Sequence, residues 1–263
     1  MNPVLQVKGL SKSFDGLDAV SNVSFDVNRG ELLAIIGPNG AGKTTCFNML
    51  MGQLKPTAGS VHFDGRDITG LAPRTIWRLG VGRTFQITGT YASMTVVENV
   101  QMALLSHNKR LFNLTSYAHR QYKNEAMNLL DLTGMAGQAE RACAVLAYGD
   151  LKRLELSIAL ANNPRLLLMD EPTAGMAPKE RIELMRLTAD IVDRRNISAL
   201  FTEHDMDVVF ANADRIIVLN RGELIAAGNA DDIRQNATVQ EIYLGGGTLY
   251  HSSAKTGGND SHA

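Results

Sequence analysis

Two neighbouring acids follow a short apolar run in the stretch LLLMDEPTAGMAPKE. The run leads directly into Asp170 and Glu171, and Pro172 comes next. An apolar run of this length is typical of a buried strand, and a buried carboxylate is costly unless a metal ion or another cation meets it. The spacing therefore predicts that these acids meet a cation at the end of a core strand.

A glycine-rich segment earlier in the chain indicates the kind of ligand that the two acids help to bind. The stretch GPNGAGKTT fits the pattern G-x-x-x-x-G-K-[ST] without a mismatch. It follows a predicted strand and opens a predicted helix, which is the context that supports a phosphate-binding P-loop. Glycines let backbone N–H groups curl around a phosphate, and the helix N-terminus adds its positive end. The P-loop residues are Gly37, Pro38, Asn39, Gly40, Ala41, Gly42, Lys43, Thr44 and Thr45.

Four side chains in these two segments have complementary chemistry. Lys43 supplies a mobile cation to the β- and γ-phosphates of a nucleotide, and Thr44 offers a hydroxyl group to Mg²⁺. Asp170, one residue inside the strand end, suits completion of the Mg²⁺ shell. Glu171 lies one step further out, where a carboxylate can polarise an attacking water molecule.

Two simpler interpretations compete with this one. The glycine-rich segment could be a turn that binds nothing, but the strand before it and the helix after it disfavour that. The two acids could cap the next helix. Pro172 and Thr173 separate them from the helix that Pro178 is expected to start, which disfavours capping.

Composition restricts the class of protein. The net charge of −1 argues against a dominant surface for nucleic acid or anionic lipid. Two cysteines, Cys46 and Cys143, make no disulfide framework and suit a reducing compartment. Cys46, just after the P-loop, is interpreted as a small packed helix residue. The N-terminus lacks a signal-peptide layout, and no apolar run approaches the ~18 residues that span a bilayer. A role at a membrane would therefore come through partners.

Strand and helix patterns divide the chain into a core and an insertion. Short β-type segments open the sequence, and alternation of strands and helices returns near its C-terminal end. Between them the apolar residues have helical spacing. We predict an α/β core of residues 1–86 and 162–250, a helical subdomain of residues 87–161, and a disordered polar tail of residues 251–263.

Four further segments, together with the P-loop and the acids, resemble the ATP-binding subunits of ABC transporters over about residues 4–244. Phe14, in SKSFDGLDAV, stands where that family places an aromatic ring that stacks on adenine. Gln86, in GRTFQ, matches the glutamine that links the core to the helical insertion and senses Mg²⁺ and water. His204, in FTEHD, matches the switch histidine that contacts the γ-phosphate. The segment LAYGD matches the signature that contacts the γ-phosphate bound by the opposite subunit, through Ala147, Tyr148 and Gly149.

Each of these segments alone has a simpler interpretation. Phe14 could be a half-buried packing residue, and LAYGD could be an ordinary helix start. A lone His204 after a strand is more often a residue at the start of a helix. The order of all the segments together indicates the family.

The resemblance implies a fold and an activity. The fold is α/β, with a P-loop NTPase (RecA-like) core, an antiparallel β subdomain and the inserted helical subdomain that carries the signature. The activity is hydrolysis of ATP with Mg²⁺, by a dimer that encloses two ATP molecules. In that scheme Thr44, Gln86 and Asp170 contact Mg²⁺, and Glu171, Gln86 and His204 are the catalytic residues.

The chain departs from the family pattern at two positions. Ala147 replaces the signature serine and so removes a hydroxyl group expected at the γ-phosphate. Ala177 replaces an Asp or Asn that can cap the following helix, a contribution of ~1 kcal/mol. The signature's backbone N–H groups and helix dipole remain.

Finer similarity points to a subgroup. The segments GVGRTFQ, MTVVENV and TEHDMDVVFANADRIIVLNRGELIAAG resemble the ATP-binding subunits of importers for branched-chain and related hydrophobic amino acids. Transporters for urea and short amides, aromatic acids, or lipids and polysaccharides remain alternatives, as does a soluble ABC ATPase outside transport. The expected partners are a second ABC ATPase subunit, identical or different, two transmembrane permeases and, indirectly, a solute-binding protein. No nucleic-acid partner is expected. The expected location is the cytoplasmic face of a bacterial-type inner membrane, as a peripheral subunit.

Overall fold

A six-stranded sheet and a four-stranded sheet form the framework of the protein. The computed structural model describes residues 3–84, 90–108 and 122–244. The strands are β1 (Leu5–Phe14), β2 (Leu17–Val27), β3 (Leu32–Ile36), β4 (Ala58–Phe63), β5 (Arg66–Asp67), β6 (Val81–Arg83), β7 (Leu166–Asp170), β8 (Ser198–Thr202), β9 (Arg215–Asn220) and β10 (Glu223–Gly228). The helices are α1 (Lys43–Leu50), α2 (Pro73–Arg78), α3 (Val96–His107), α4 (Lys123–Leu132), α5 (Tyr148–Leu160), α6 (Pro178–Arg195), α7 (Met206–Asn212), α8 (Ala230–Gln235) and α9 (Ala237–Leu244).

The six-stranded sheet has the order β10-β9-β3-β8-β7-β6. All its pairings are parallel except that of β10 with β9. Every residue of β3, β7 and β8 is buried, as expected for parallel strands covered on both faces. Ligands of such sheets bind beyond the carboxyl ends of the strands. The loops that follow β3, β8 and β7 therefore meet at one edge of the sheet.

The four-stranded sheet, β2-β1-β4-β5, is antiparallel throughout, which confirms the predicted antiparallel component. It packs on one face of the central sheet, because Leu33 and Ile35 share a buried cluster with its apolar residues and with α1. Ala34 and Ile36 point to the other face and join the cluster of α3, α5 and α6. The two-residue period of a strand thus divides β3 between two cores.

Between β6 and β7 the described residues form helices α3, α4 and α5 and two 3₁₀ turns, Ala136–Gln138 and Cys143–Val145. Helix α3 starts with a capping box, in which Thr95 and Glu98 each bond the other's backbone N–H group. Residues 85–89 and 109–121 lie outside the described residues, and so do residues 245–263. Gln86 and the predicted disordered tail fall among these. In the described part of the chain, no helix is long and apolar enough to cross a membrane.

Candidate functional site

The P-loop runs from the end of β3 to the start of α1 and bends at glycines. Gly37 and Gly42 have φ values of 154° and 96°. A Cβ atom on Gly37 would lie 2.2 Å from the carbonyl oxygen of Leu219, and one on Gly42 would lie 2.4 Å from that of Ala19. Strands β9 and β2 approach so closely that only glycine fits at these two positions. The turn between β9 and β10 also contacts the loop, because the N–H group of Gly222 donates to the carbonyl oxygen of Ala41 at 3.0 Å.

Lys43 is the first residue of α1 and is buried. Its Nζ atom donates to the carbonyl oxygens of Gly37 at 2.6 Å and Pro38 at 3.1 Å. Burial lowers the pKa of Lys43, and the nearby carboxylates of Glu171 and Asp170 oppose that shift. The first turn of α1 contains no acid. The helix N-terminus and the ammonium group therefore place positive charge where a phosphate could bind.

Asp170 is the last residue of β7 and faces Thr202, the last residue of β8. The Thr202 hydroxyl donates to Asp170 Oδ1 at 2.7 Å and accepts from the backbone N–H group of Glu171 at 2.9 Å. Burial raises the pKa of Asp170, the Thr202 hydrogen bond opposes the shift, and Glu171 adds to it. A threonine at the end of a buried strand carries no recognisable sequence signal, and sequence reasoning missed Thr202.

Glu171 has a φ of 48°, an uncommon left-handed conformation for a residue other than glycine. Its Oε1 atom lies 2.8 Å from Nε2 of His204, which follows β8. The two side chains are partly exposed at the sheet edge. The structure therefore brings together the proposed water-activating acid and the proposed switch histidine, from two different loops.

Glu203 is a second residue that sequence reasoning missed. It is 4% exposed. Its Oε1 atom accepts from the N–H group of Thr173 at 3.0 Å and from the Thr173 hydroxyl at 2.6 Å, and its Oε2 atom accepts from the N–H group of His204 at 3.2 Å. Burial raises the pKa of Glu203, and the hydrogen bonds from Thr173 oppose the shift. Glu203 thus ties the loop after β7 to the loop after β8.

The start of α6 settles whether the two acids cap it. The N-cap residue is Ala177, and the carboxylate of Glu180 accepts from the Ala177 N–H group at 3.3 Å. Asp170 and Glu171 bond Thr202 and His204 instead. The capping alternative is therefore wrong.

Three other predicted residues are exposed at the ends of secondary-structure elements. Phe14 ends β1, is 44% exposed and pairs with Leu17 across the hairpin, and Lys12 Nζ lies 5.1 Å from the centroid of its ring. Ala147 is the N-cap of α5 and makes no side-chain capping bond. Tyr148 is also 44% exposed.

Two other predicted positions are buried. Gly149 is covered in the first turn of α5, and a Cβ atom there would lie 3.4 Å from the carboxylate of Glu180. Cys46 is fully buried in α1, and burial raises the pKa of its thiol to about 12. A thiol that stays protonated at neutral pH is inert, as the packing interpretation expects.

The oxygen donors at the sheet edge fit Mg²⁺. They are the exposed hydroxyl of Thr44 and the carboxylate of Asp170. Mg²⁺ is commonly held by one or two protein oxygens together with substrate phosphates and water. No group of three or more His, Cys, Asp or Glu side chains that could hold a metal ion occurs among the described residues.

Comparisons with known proteins agree with this fold and this geometry. The ABC transporter family matches residues 20–174, and the chain belongs to that family. It is 42% identical to the high-affinity branched-chain amino acid transport ATP-binding protein LivG of Salmonella typhimurium, over 92% of this chain and 98% of LivG. It is 40% identical to the corresponding protein BraF of Pseudomonas aeruginosa, over 92% and 98% of the two chains.

Solved structures agree as well. The ADP conformation of MJ1267, an ATP-binding cassette of an ABC transporter, superimposes with a TM-score of 0.83 at 30% identity, covering 93% of this chain and 100% of that one. The dimeric cassette MJ0796 bound to ADP and Pi has a TM-score of 0.73 at 26% identity, covering 86% and 98%. This protein is therefore an ABC ATPase with an ATP-binding cassette fold.

Proposed function

We propose that this chain hydrolyses ATP to energise an importer of branched-chain amino acids. The observation that carries the proposal is the convergence of Lys43, Asp170 and the Glu171–His204 pair at one sheet edge. The substrate class is supported by the similarity to LivG and BraF, both of which are branched-chain amino acid transport proteins.

Each residue of the site then has a distinct role. The P-loop N–H groups and the α1 N-terminus bind the phosphates, and Lys43 exchanges its two carbonyl partners for phosphate oxygens. Thr44 and Asp170 would hold Mg²⁺, with Gln86 as the third predicted contact, and the ion neutralises charge on the phosphates when bound. Phe14 offers an exposed ring for adenine.

Glu171 and His204 act on the γ-phosphate. Glu171 orients a water molecule and accepts its proton as the water oxygen attacks phosphorus and the bond to the leaving ADP oxygen breaks. His204 holds the Glu171 carboxylate through the 2.8 Å contact and can donate to a γ-phosphate oxygen. Phosphoryl transfer depends mainly on positioning and charge, so small shifts of these two side chains control the rate.

We further propose that two subunits close around two ATP molecules. The N-terminus of α5 supports this, because Ala147 and Tyr148 are exposed and no side chain caps the helix. Its free N–H groups and dipole suit the γ-phosphate bound by a second subunit. A similar cassette, MJ0796, has been solved as a dimer with ADP and Pi.

The groove between α2 and α3 is the proposed docking site for a permease. It has a volume of about 430 Å³ and is lined mainly by apolar side chains, among them Met51, Ile76, Trp77, Met102 and Ala103. An amphipathic helix can place its apolar face in such a groove. Because the groove lies between the core and the helical segment, closure of a dimer would pull on a docked permease. The chain would then work at the cytoplasmic face of a bacterial inner membrane, held there by its permeases.

Reconstitution tests the proposal. The chain would be co-expressed with candidate permeases from the same organism, purified as a complex and placed in proteoliposomes with a candidate solute-binding protein. We expect ATP-dependent uptake of leucine, isoleucine and valine, and none from a matched complex carrying Glu171→Gln. Uptake of urea or aromatic acids alone would overturn the substrate assignment. Failure to co-purify with any permease would overturn the transport role.

A further inference from the structure

Arg181 connects two loops of the site that no backbone pairing joins. It lies in the first turns of α6, and its side chain is 33% exposed. Its Nε atom donates to the carbonyl oxygen of Met176 at 2.8 Å, in the loop after β7. Its Nη1 atom donates to Asp205 Oδ2 at 3.0 Å, in the loop after β8. One planar guanidinium group therefore spans both loops.

Asp205 connects Arg181 to His204, its neighbour in the chain. It follows His204 in the chain and is the N-cap of α7, where its Oδ1 atom accepts from the N–H groups of Asp207 and Val208. Its other oxygen is left for Arg181. The bonds thus run from Arg181 through Asp205 to the backbone of His204, whose ring lies 2.8 Å from Glu171.

The loop after β7 ends at helix α6 without a side-chain cap on the helix. Ala177 has no side-chain capping bond at the start of α6. Only the Glu180 carboxylate bonds its N–H group, at 3.3 Å. The bond from Arg181 to the carbonyl oxygen of Met176 therefore adds to the restraint that burial of the Met176 side chain and the bond from its N–H group to the Thr173 carbonyl give this end of the loop.

We propose that Arg181 is a positioning residue for ATP hydrolysis, which keeps His204 within hydrogen-bonding distance of Glu171 by fixing Asp205 to the loop after β7. The inference rests on the roles proposed above for Glu171 and His204. Arg181 touches neither nucleotide nor water in this scheme. Its removal should slow turnover and leave nucleotide binding by the P-loop intact.

Steady-state ATP hydrolysis by the full chain in the assembled transporter tests this. Arg181→Gln should lower kcat about tenfold, the equivalent of one charge-assisted hydrogen bond felt in the transition state. KM for ATP should change less than about twofold, because binding to the P-loop is unaffected. Arg181→Lys should recover only part of the rate, since one ammonium group cannot copy the fork of a guanidinium group.

Two further variants separate positioning from a loss of folding. Asp205→Asn keeps the Oδ1 acceptor that caps α7 but loses the charged acceptor for Arg181, so it should lower kcat like Arg181→Gln. Combined with Arg181→Gln, it should add little. Arg186→Gln removes an exposed positive charge from the same helix and should leave kcat unchanged. Nitrogen NMR of the His204 ring, assigned with His204→Ala, should show a shift in Arg181→Gln and none in Arg186→Gln.

The outcomes distinguish this inference from the proposed function. If Glu171→Gln and His204→Ala lose turnover while Arg181→Gln matches Arg186→Gln, the positioning role is wrong and the site assignment stands. If Arg181→Gln lowers kcat without moving the His204 resonance, Arg181 acts by another route and the inference is overturned. If Glu171→Gln stays active, the proposed site itself fails.

Discussion

Nε2 of His204 lies 2.8 Å from Oε1 of Glu171, although 33 positions separate the two residues in the chain. The contact forms because β7 and β8 are parallel neighbours, so the loops at their carboxyl ends meet. Two further hydrogen bonds join these loops, one between Glu203 and Thr173 and the other between Thr202 and Glu171. The two side chains are therefore oriented by hydrogen bonds within the protein itself.

Glu171→Gln should abolish most turnover and preserve ATP binding. The amide cannot accept a proton from water, and the phosphate-binding loop is untouched. We expect at least ~100-fold slower hydrolysis, the usual contribution of a general base, and an ATP-bound dimer that persists on size-exclusion chromatography. Glu183→Gln, an exposed acid on α6, is the control. Turnover within about threefold of the wild-type rate, under ~0.7 kcal/mol of barrier, would contradict the role.

Thr202→Val should slow hydrolysis through two partners at once. It removes the hydroxyl that donates to Asp170 and accepts from Glu171, at a cost of ~1–3 kcal/mol of stability for the unpaired groups. Thr188→Val is a matched control, because this buried threonine bonds only the Leu184 carbonyl within α6. Urea unfolding should show a lower free energy of unfolding for each variant. A fall in kcat should appear for Thr202→Val alone, and equal kcat values would count against the role of Thr202.

Ala147→Ser should raise both stability and turnover. A serine N-cap on α5 is worth ~1 kcal/mol, and its hydroxyl adds a donor for the γ-phosphate of the other subunit, worth ~1.5–3 kcal/mol if felt fully. Ala177→Ser is the control, because it completes a capping box with Glu180 on α6. Melting temperature should rise for both variants, measured without nucleotide. If turnover rises for Ala147→Ser but not for Ala177→Ser, the gain comes from the contact with the phosphate and not from helix capping. If turnover rises for neither variant, the backbone N–H groups of the signature already suffice.

Lys152 and Glu155 form a buried ion pair on α5, with Nζ 3.1 Å from Oε2 and 4% exposure of each side chain. Burial raises the pKa of Glu155, and Lys152 opposes the shift. Lys152→Met alone leaves an uncompensated buried carboxylate and should cost ~3–5 kcal/mol. Lys152→Met with Glu155→Leu should recover that loss, since apolar replacement of a buried pair is often neutral or better. Urea denaturation measures both variants, and a double variant no more stable than the single would refute the argument.

The pKa of Glu203 makes a prediction about pH. Burial raises it above the ordinary value of 4.5, so the folded chain binds the proton more tightly than the unfolded chain does. The contribution of Glu203 to the free energy of unfolding is fully present below about pH 4.5, and it is lost as the pH rises through the folded-state pKa. Glu203→Gln cannot titrate. The stability of the wild-type protein relative to Glu203→Gln should therefore decrease between pH 4.5 and 7.5, measured as the midpoint of urea unfolding at each pH. An increase would mean that the Thr173 hydrogen bonds outweigh burial.

Local features of the site could be predicted from the sequence, because they depend on residue types within a few positions. Gly37 and Gly42 must adopt backbone conformations that suit glycine, and Lys43 follows at the start of the predicted helix. The continuous apolar runs before Gly37 and Asp170 are sufficient to indicate fully buried strands. The antiparallel sheet and the class of protein followed from resemblance and were confirmed.

Only the tertiary structure decided which residues support that chemistry. The contacts of Thr202, Glu203 and Arg181 join segments whose order in the sheet no local pattern encodes, since β8 lies between β3 and β7 in space although it follows both in the chain. The same register places Asp170 opposite Thr202. A residue's conformational preference acts within a turn or a strand, whereas hydrogen bonds across a sheet edge depend on strand order and register, which the packing of the whole chain determines.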